Sequence, residues 1–397
     1  MTEHQAKALV EASASGSLQE AWEAHQAGSS DIKLRNTLER AHPPEVCRAI
    51  LDCLTCRAHF QDKFWRASEW LLTREAAEQA SHWLISRWRA QQLSGDVIEV
   101  GCGIGGDAVF LSRSTELTCF EKEASRSLLA RHNIETLGGG AVVECREVEL
   151  KNLKGNILFC DPARRASSRL HNPEDWQPSF SAVTDCFTSG RFDRVLIKTA
   201  PGIKDEVLEA LPSPETSFVS VNGHLKEAQI QLGSPGTGKV AVLLNHQTDL
   251  PLVYKTTRQT LPIQQPVKGY YLFNPDPAIL RADALDHLAQ ELGAGIVHPK
   301  IGYLVGENPA LNPACTTFEI LETFPLNWNH LKKWLKQSDW NDFEYLGRGV
   351  PFSQPEVRKK LPRLKANRPY RRGSIIIYRT DSGYQVVLAL RQGKNVP

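Results

Sequence analysis

The apolar positions of this chain follow one spacing near its start and another further on. Up to about Gln92 they recur three and four residues apart, at Leu34, Leu38 and Ala41 and then at Val46, Ile50, Leu51 and Leu54, which predicts an all-helical leader over residues 1–92. Asn36, Thr73 and Ser81 are candidate helix caps, and the acid following Thr73 suits the positive end of a helix dipole. Trp65, Trp70, Trp83 and Trp88 are spaced as one face of a helix requires, so they are assigned to core packing rather than to stacking on a base.

From Val97 the apolar residues gather into short β-type runs: Val97 to Val100, Leu117 to Phe120, Ala141 to Cys145, Ile157 to Cys160, Val195 to Ile197, Phe218 to Val221 and Val240 to Leu244. Helical or turn-rich stretches separate them, which predicts an α/β domain over residues 93–248. Its sheet should be parallel and doubly wound, with a last pair free to form an antiparallel edge. A ligand would sit at the C-terminal ends of the strands. Pro251, Pro262, Pro266, Pro275 and Pro277 then break the chain. Helical spacing from Ala278 to Leu292 and around His330 to Lys336, segments at Phe343 to Leu346 and Val357 to Leu361, and strands at Ser374 to Tyr378 and Gln385 to Leu390 predict small α+β domains at 262–322 and 323–397.

A chain of 397 residues, 41% of them hydrophobic, is long enough for two or three cores. It has no apolar run of membrane-spanning length and no secretory h-region at its start, so the expectation is a cytoplasmic protein with no membrane partner. Its nine cysteines read as reduced thiols. Cys53, Cys56 and His59 have the local spacing of a metal half-site, but no second pair follows at finger spacing and no metal is expected. The net charge of +2 hides an asymmetry: from Thr323 to Pro397 there are 15 Lys and Arg against 5 Asp and Glu, about +10, leaving about −8 for the rest. Such a basic tail suits a polyanion, with a solvated basic face as the alternative.

The chemistry-bearing motif is Val97-Ile-Glu-Val-Gly-Cys-Gly-Ile-Gly-Gly-Asp107, an apolar strand running into a glycine loop and a helix start. Gly101, Gly103 and Gly106 alone also satisfy the dinucleotide fingerprint. Glu99, two residues before the first glycine, suits an ammonium better than a pyrophosphate. Glu121 closes the second strand, where an acid accepts ribose hydroxyls from either NAD or S-adenosylmethionine, and Lys122 follows it. Glu147, after the third strand, is a candidate for an adenine amino group or a simple exposed charge, and ranks below Glu99 and Glu121. The fourth strand ends in Asp161-Pro-Ala-Arg-Arg165, which puts a carboxylate and the rigid turn of Pro162 at the functional edge of the sheet. Asp161 could orient a substrate amine, and Arg164 and Arg165 could meet phosphate or stack on a base, the alternative being a structural turn with two solvated arginines. Lys198 and His224, near strand ends, read as solvated or capping groups.

These residues resemble the class I methyltransferases, which implies a Rossmann-like core and S-adenosylmethionine as cofactor. Glu99, Gly101, Gly103, Gly105, Asp107, Glu121, Lys122 and Glu147 would hold it, and Asp161 and Pro162 would form the catalytic turn. A narrower match rests on Phe64 to Ser81, Asp161 to Arg165, Ile197-Lys-Thr-Ala-Pro-Gly-Ile203, Tyr271-Leu-Phe-Asn-Pro-Asp-Pro-Ala278 and Gly347-Arg-Gly-Val-Pro351. Together these resemble bacterial methyltransferase-type proteins with a ferredoxin-like module, here 262–322, and a THUMP-like domain, here 323–397. The resemblance implies RNA as partner, with Arg371 and Arg372 among its contacts. The core is also similar to trimethylguanosine synthases, which methylate a guanine amino group. Amino-group methyltransferases usually carry a second proline and an aromatic residue where this chain has Ala163 and Arg164. The alternatives are a non-catalytic RNA-binding or ribosome-assembly protein on the same fold, and a methyltransferase of a small molecule or protein.

Overall fold

The helical spacing of the leader produces α1 (Glu3–Ala14), α2 (Ser17–Gln26), α3 (Asp31–Leu38), α4 (Pro44–His59), α5 (Arg74–Gln79) and α6 (Trp83–Ala90). The computed structural model describes residues 1–164, 172–248, 250–364 and 371–393, with Arg164 in its backbone only. Thr73 caps α5 by accepting the Ala76 N–H, as expected. Asn36 instead lies inside α3, whose cap is Ser30, because the helix begins at Asp31, well ahead of its first buried leucine. Ser81 is not a cap either: the His82 ring accepts the Leu84 N–H, which leaves the serine hydroxyl for other partners.

The apolar faces of these helices do not form a core of their own. Leu9, Leu34, Val46, Ile50 and Leu54 join Val97, Leu117, Ile134 and Phe159 in one continuous buried cluster. Each such fully buried side chain contributes about 1.5–3 kcal/mol. Trp70 and Trp88 are buried, and Trp65 and Trp83 pack half-buried against Phe110, so the tryptophans serve the core.

The chain divides into two compact units. The first comprises Met1–Thr216, Glu227–Gly238 and Leu244–Asp249, and the second Ser217–Lys226, Lys239–Leu243 and Leu250–Pro397. In the first unit β1 (Gly95–Val100), α7 (Ala108–Leu111), β2 (Thr115–Glu121), α8 (Ala124–Leu137), β3 (Ala141–Cys145) and β4 (Gly155–Cys160) follow in order. After them come the short pair β5 (Ala163–Arg164) and β6 (Trp176–Gln177), then α9 (Phe180–Thr188), β7 (Phe192–Thr199) and α10 (Asp205–Glu209). Strands β3, β2, β1, β4 and β7 lie side by side in that order, all parallel. The chain winds outward from β1 to β3 and then, from β4, outward the other way, so the switch point of the doubly wound sheet lies between β1 and β4.

Next come β8 (Glu215–Val221), β9 (His224–Leu232), β10 (Gly238–Leu244) and β11 (Leu252–Tyr254). Strand β9 runs antiparallel to β7 and is absent from the sequence-based expectation. Glu227, Gln229 and Gln231 occupy buried positions along it, and these polar residues mask the apolar signal of a buried strand. Each accepts a hydrogen bond from an arginine, Glu227 and Gln229 from Arg89 and Gln231 from Arg194 at 2.8 Å, although the buried Gln229 Nε2 has no partner among the described residues.

In the second unit the expected helix from Ala278 to Leu292 is two, α11 (Pro277–Arg281) and α12 (Leu285–Leu292), interrupted where Asp283 turns left-handed at φ 54°. Around them lie β12 (Tyr271–Pro275), β13 (Gly295–His298), β14 (Ile301–Gly306) and β15 (Cys315–Pro325). The chain ends with α13 (Trp328–Gln337), β16 (Asp342–Arg348), α14 (Gln354–Lys360), β17 (Arg372–Thr380) and β18 (Gly383–Arg391). One sheet in the order β13-β14-β12-β15-β18-β17-β16 holds all seven of these strands. Position 322 falls inside β15, which pairs with β12 on one side and β18 on the other, so residues 262–322 and 323–393 contribute to the same sheet. Two of the family-like motifs meet here: Arg348 donates to Asn274 at 2.7 Å and lies over the ring of Tyr303. No helix among the described residues is long and apolar enough to cross a membrane.

Candidate active site

The loop after β1 is shaped by how closely it approaches β4. Gly101 has φ +85°, and a Cβ there would stand 3.0 Å from the Asp161 carbonyl oxygen, so both conformation and space demand glycine. The Gly101 N–H donates to the Phe120 carbonyl at 2.9 Å, which ties the loop to the end of β2 as well. Gly103 donates its N–H to Glu121 Oε2 at 2.9 Å, and Glu123 donates to Oε1 at 2.9 Å. Burial pushes the Glu121 carboxyl up, against those two N–H groups. Each oxygen keeps a lone pair for a hydroxyl. Gly105 lies in the same turn, accepted by the Cys102 carbonyl.

Glu99 is buried on β1 with the Cys119 thiol 3.7 Å from its Oε2. Burial first, and then the neighbouring Asp107 carboxylate, push it up to about 8, against the pull of Arg89. Behind the glycine loop lies a group of charges that motif reading does not reveal. Arg89 on α6 has 0% exposure. It donates to Gln229 at 2.8 Å and to Asp107 and Glu227 through short charge-assisted bonds, and its guanidinium lies 4.7 Å from the centre of the Phe159 ring. The Ser81 hydroxyl lies 2.9 Å from Asp107 and 3.2 Å from Glu227, bridging the two acids. Burial pushes Asp107 up, but Arg89, Lys198 and the serine hydroxyl outweigh it and hold the carboxyl below its usual range; for Glu227 burial wins.

Lys198, at the end of β7, is not solvated. Its side chain is 11% exposed and its Nζ donates to Asp161 Oδ2 at 2.6 Å, with Asp107 3.9 Å away. Burial lowers its proton affinity, and Asp161, Asp107 and Glu227 more than restore it, so the ammonium stays charged. The expected freedom of Asp161 to orient a substrate amine is therefore shared with a cation. The structure thus gathers Glu99, Gly101, Gly103, Gly105, Asp107, Glu121, Asp161 and the buried Pro162 around the switch point.

Lys122 reaches Gln177 at 3.4 Å, and Glu147 is exposed in the loop after β3. The Arg164 side chain and Arg165 lie outside the described residues. Arg371 and Arg372 belong to the second unit, paired with Asp339 and Asp342. Cys53 bonds to the Trp70 carbonyl and the Leu72 N–H, and no group of three potential metal ligands gathers among the described residues. Sequence reasoning missed Arg89, Glu227 and Gln229 and misjudged Ser81 and Lys198. The one available signal was polar residues two apart in an otherwise strand-like run, Glu227 and Gln229.

This strand order matches the fold of the class I methyltransferases. The solved structures agree: a Porphyromonas gingivalis W83 protein provisionally named a methyltransferase matches with TM-score 0.72 at 21% identity, over 89% of this chain and 92% of that one. In sequence, the chain is 29% identical over 323 residues to an uncharacterized S-adenosylmethionine-dependent methyltransferase of Mycobacterium tuberculosis, 80% of this chain and 86% of the relative. The proteins of strains CDC 1551 and H37Rv match equally. No family model matches the chain.

Proposed function

We infer that this chain is an S-adenosylmethionine-dependent methyltransferase, and we propose RNA as its substrate. The observation that carries the first statement is the switch point itself, where Gly101 presses against the Asp161 backbone between a buried Glu99 and a Glu121 whose oxygens retain acceptor capacity. That donor and acceptor set fits the cofactor. The ammonium of a methionine moiety would draw the Glu99 carboxyl, raised by burial to about 8, into its anionic form, and Glu121 offers acceptors to ribose hydroxyls. The glycine loop lets backbone approach closely, and Glu99 in its ionised form disfavours a pyrophosphate. When bound, S-adenosylmethionine supplies an electrophilic methyl group on a sulfonium. The chain's own work is to orient the acceptor and exclude water around it.

The RNA proposal draws on the basic tail, about +10 from Thr323 onward, and on its resemblance to a THUMP-like domain. Arg371 and Arg372, half-exposed although paired, are candidate phosphate contacts. Calorimetric titration with S-adenosylmethionine, S-adenosylhomocysteine and NAD tests the cofactor; binding of the first two and not of NAD is expected. Binding to unmodified transcribed RNA across a salt series tests the partner, with affinity falling steeply as salt rises. Salt-independent or absent RNA binding by protein that still binds S-adenosylmethionine would return the substrate to a small molecule or a protein.

A further inference from the structure

We propose that the methyl acceptor at this site is a hydroxyl oxygen, not an amino nitrogen, and that Lys198 and Asp161 manage its charge and its proton; in RNA that hydroxyl is the ribose 2′-OH. The proposal rests on the methyltransferase reading above.

Strands β4 and β7 are parallel neighbours with Cys160 in register with Ile197, so the next residue of each stands at the same level, Asp161 just past the end of β4 and Lys198 still within β7. Their side chains meet at 2.6 Å. Asp161 is the more open of the two, 33% exposed against 11% for Lys198, so the pair faces outward through its carboxylate and is anchored inward on Asp107. The inner layer is closed: Arg89 is bound to Asp107, Glu227 and Gln229.

A neutral amine that attacks a sulfonium methyl becomes positively charged as the bond forms. A fixed ammonium next to the carboxylate meant to receive that amine opposes the change, because it adds like charge and already occupies one acceptor oxygen. A hydroxyl has the opposite need. Its oxygen must shed a proton and carry negative charge, which a buried ammonium stabilises and a neighbouring carboxylate assists by taking the proton. An ammonium has three donors, so Lys198 can hold Asp161 and an acceptor oxygen together. In the step, the oxygen–carbon bond forms as the carbon–sulfur bond breaks. The electron pair leaves on sulfur as the thioether of S-adenosylhomocysteine, and the hydroxyl proton passes to Asp161 and then to solvent.

The test is where the methyl goes. Unmodified transcribed ribosomal and transfer RNAs are incubated with the full chain and methyl-tritiated S-adenosylmethionine, then hydrolysed in alkali. Ribose 2′-O-methylation blocks cleavage at its own linkage, so label in alkali-stable dinucleotides is expected. Label in mononucleotides bearing a methylated base overturns the proposal. If no label transfers, nucleosides from cells with and without the gene decide: loss of a 2′-O-methylnucleoside supports it, while loss of a base-methylated nucleoside, or of none, overturns it. Titration with S-adenosylmethionine separates the two failures, because retained binding leaves the methyltransferase reading standing. Where transfer is seen, Lys198→Met should lower turnover about a hundredfold with cofactor affinity unchanged, and Lys198→Arg should recover part of it. Equal turnover in all three proteins overturns the role of Lys198.

Discussion

Arg89 in the first unit and Arg371 in the second each pair with an aspartate, in opposite surroundings. Arg89 is fully buried, and every partner it has comes from another element: Ser81 and Asp107 nearby in sequence, Glu227 and Gln229 some 140 positions away. Arg371 meets Asp339 at the surface with roughly half of each side chain exposed. Water screens the second pair and not the first. A buried group of charges holds a fixed field at one place, as chemistry requires. An exposed basic face exerts a field that salt can erase, as reversible contact with a polyanion requires.

Breaking the buried group should have the largest effect. Arg89→Met leaves Asp107 and Glu227 buried without their cation and is expected to cost about 3–5 kcal/mol in chemical denaturation. Adding Asp107→Asn and Glu227→Gln should restore much of that loss, because no uncompensated charge then remains. No recovery in the triple variant would show that shape, not charge, is what Arg89 provides.

Next in size is the glycine loop. Gly101→Ala places a Cβ 3.0 Å from the Asp161 carbonyl in a left-handed backbone, an expected strain of about 1–3 kcal/mol. Calorimetry should find S-adenosylmethionine affinity down at least about tenfold. Unchanged affinity would mean that the loop does not carry the cofactor.

A smaller effect, but the most diagnostic of burial, comes from Glu99. Its carboxyl is raised to about 8, so the folded state holds a proton that the unfolded chain has already lost. Stability from this group is full below the ordinary glutamate range and declines as pH rises to about 8. A cationic ligand beside Glu99 favours the ionised form. Cofactor affinity should therefore climb with pH between about 6 and 8, by at most about tenfold per unit, and level off above. Glu99→Gln should flatten both curves; slopes that persist in that variant would place the titration elsewhere.

The smallest effects belong to the surface. Arg371→Ala and Arg372→Ala should each change stability by less than about 1 kcal/mol. Each should lower the slope of log RNA affinity against log salt by no more than about one, since each arginine is already shared with an aspartate. A loss of RNA binding that high salt does not reduce would contradict the contrast between the two units.

The parallel strands around β1 could be read from short apolar runs, because a strand buried on both faces leaves a continuous apolar signature wherever it occurs. The loop could be read for a similar reason: Glu99 and the glycines are adjacent in sequence, and Glu121 stands at the end of the very next strand, about 20 positions on. Strand β9 could not, because its buried Glu227, Gln229 and Gln231 make sense only with Arg89 and Arg194 in place. Lys198 looked like an ordinary strand-end cation until β7 was set beside β4 and its ammonium was brought to Asp161. The sequence by itself thus determined the α/β character, the glycine loop with its two acids, and the basic tail, all of which are read from residue order along continuous stretches of chain. Only the tertiary structure decided which charges are buried together and which carboxylate shares its lysine, because proximity and the loss of solvent are properties of packed elements rather than of residue order.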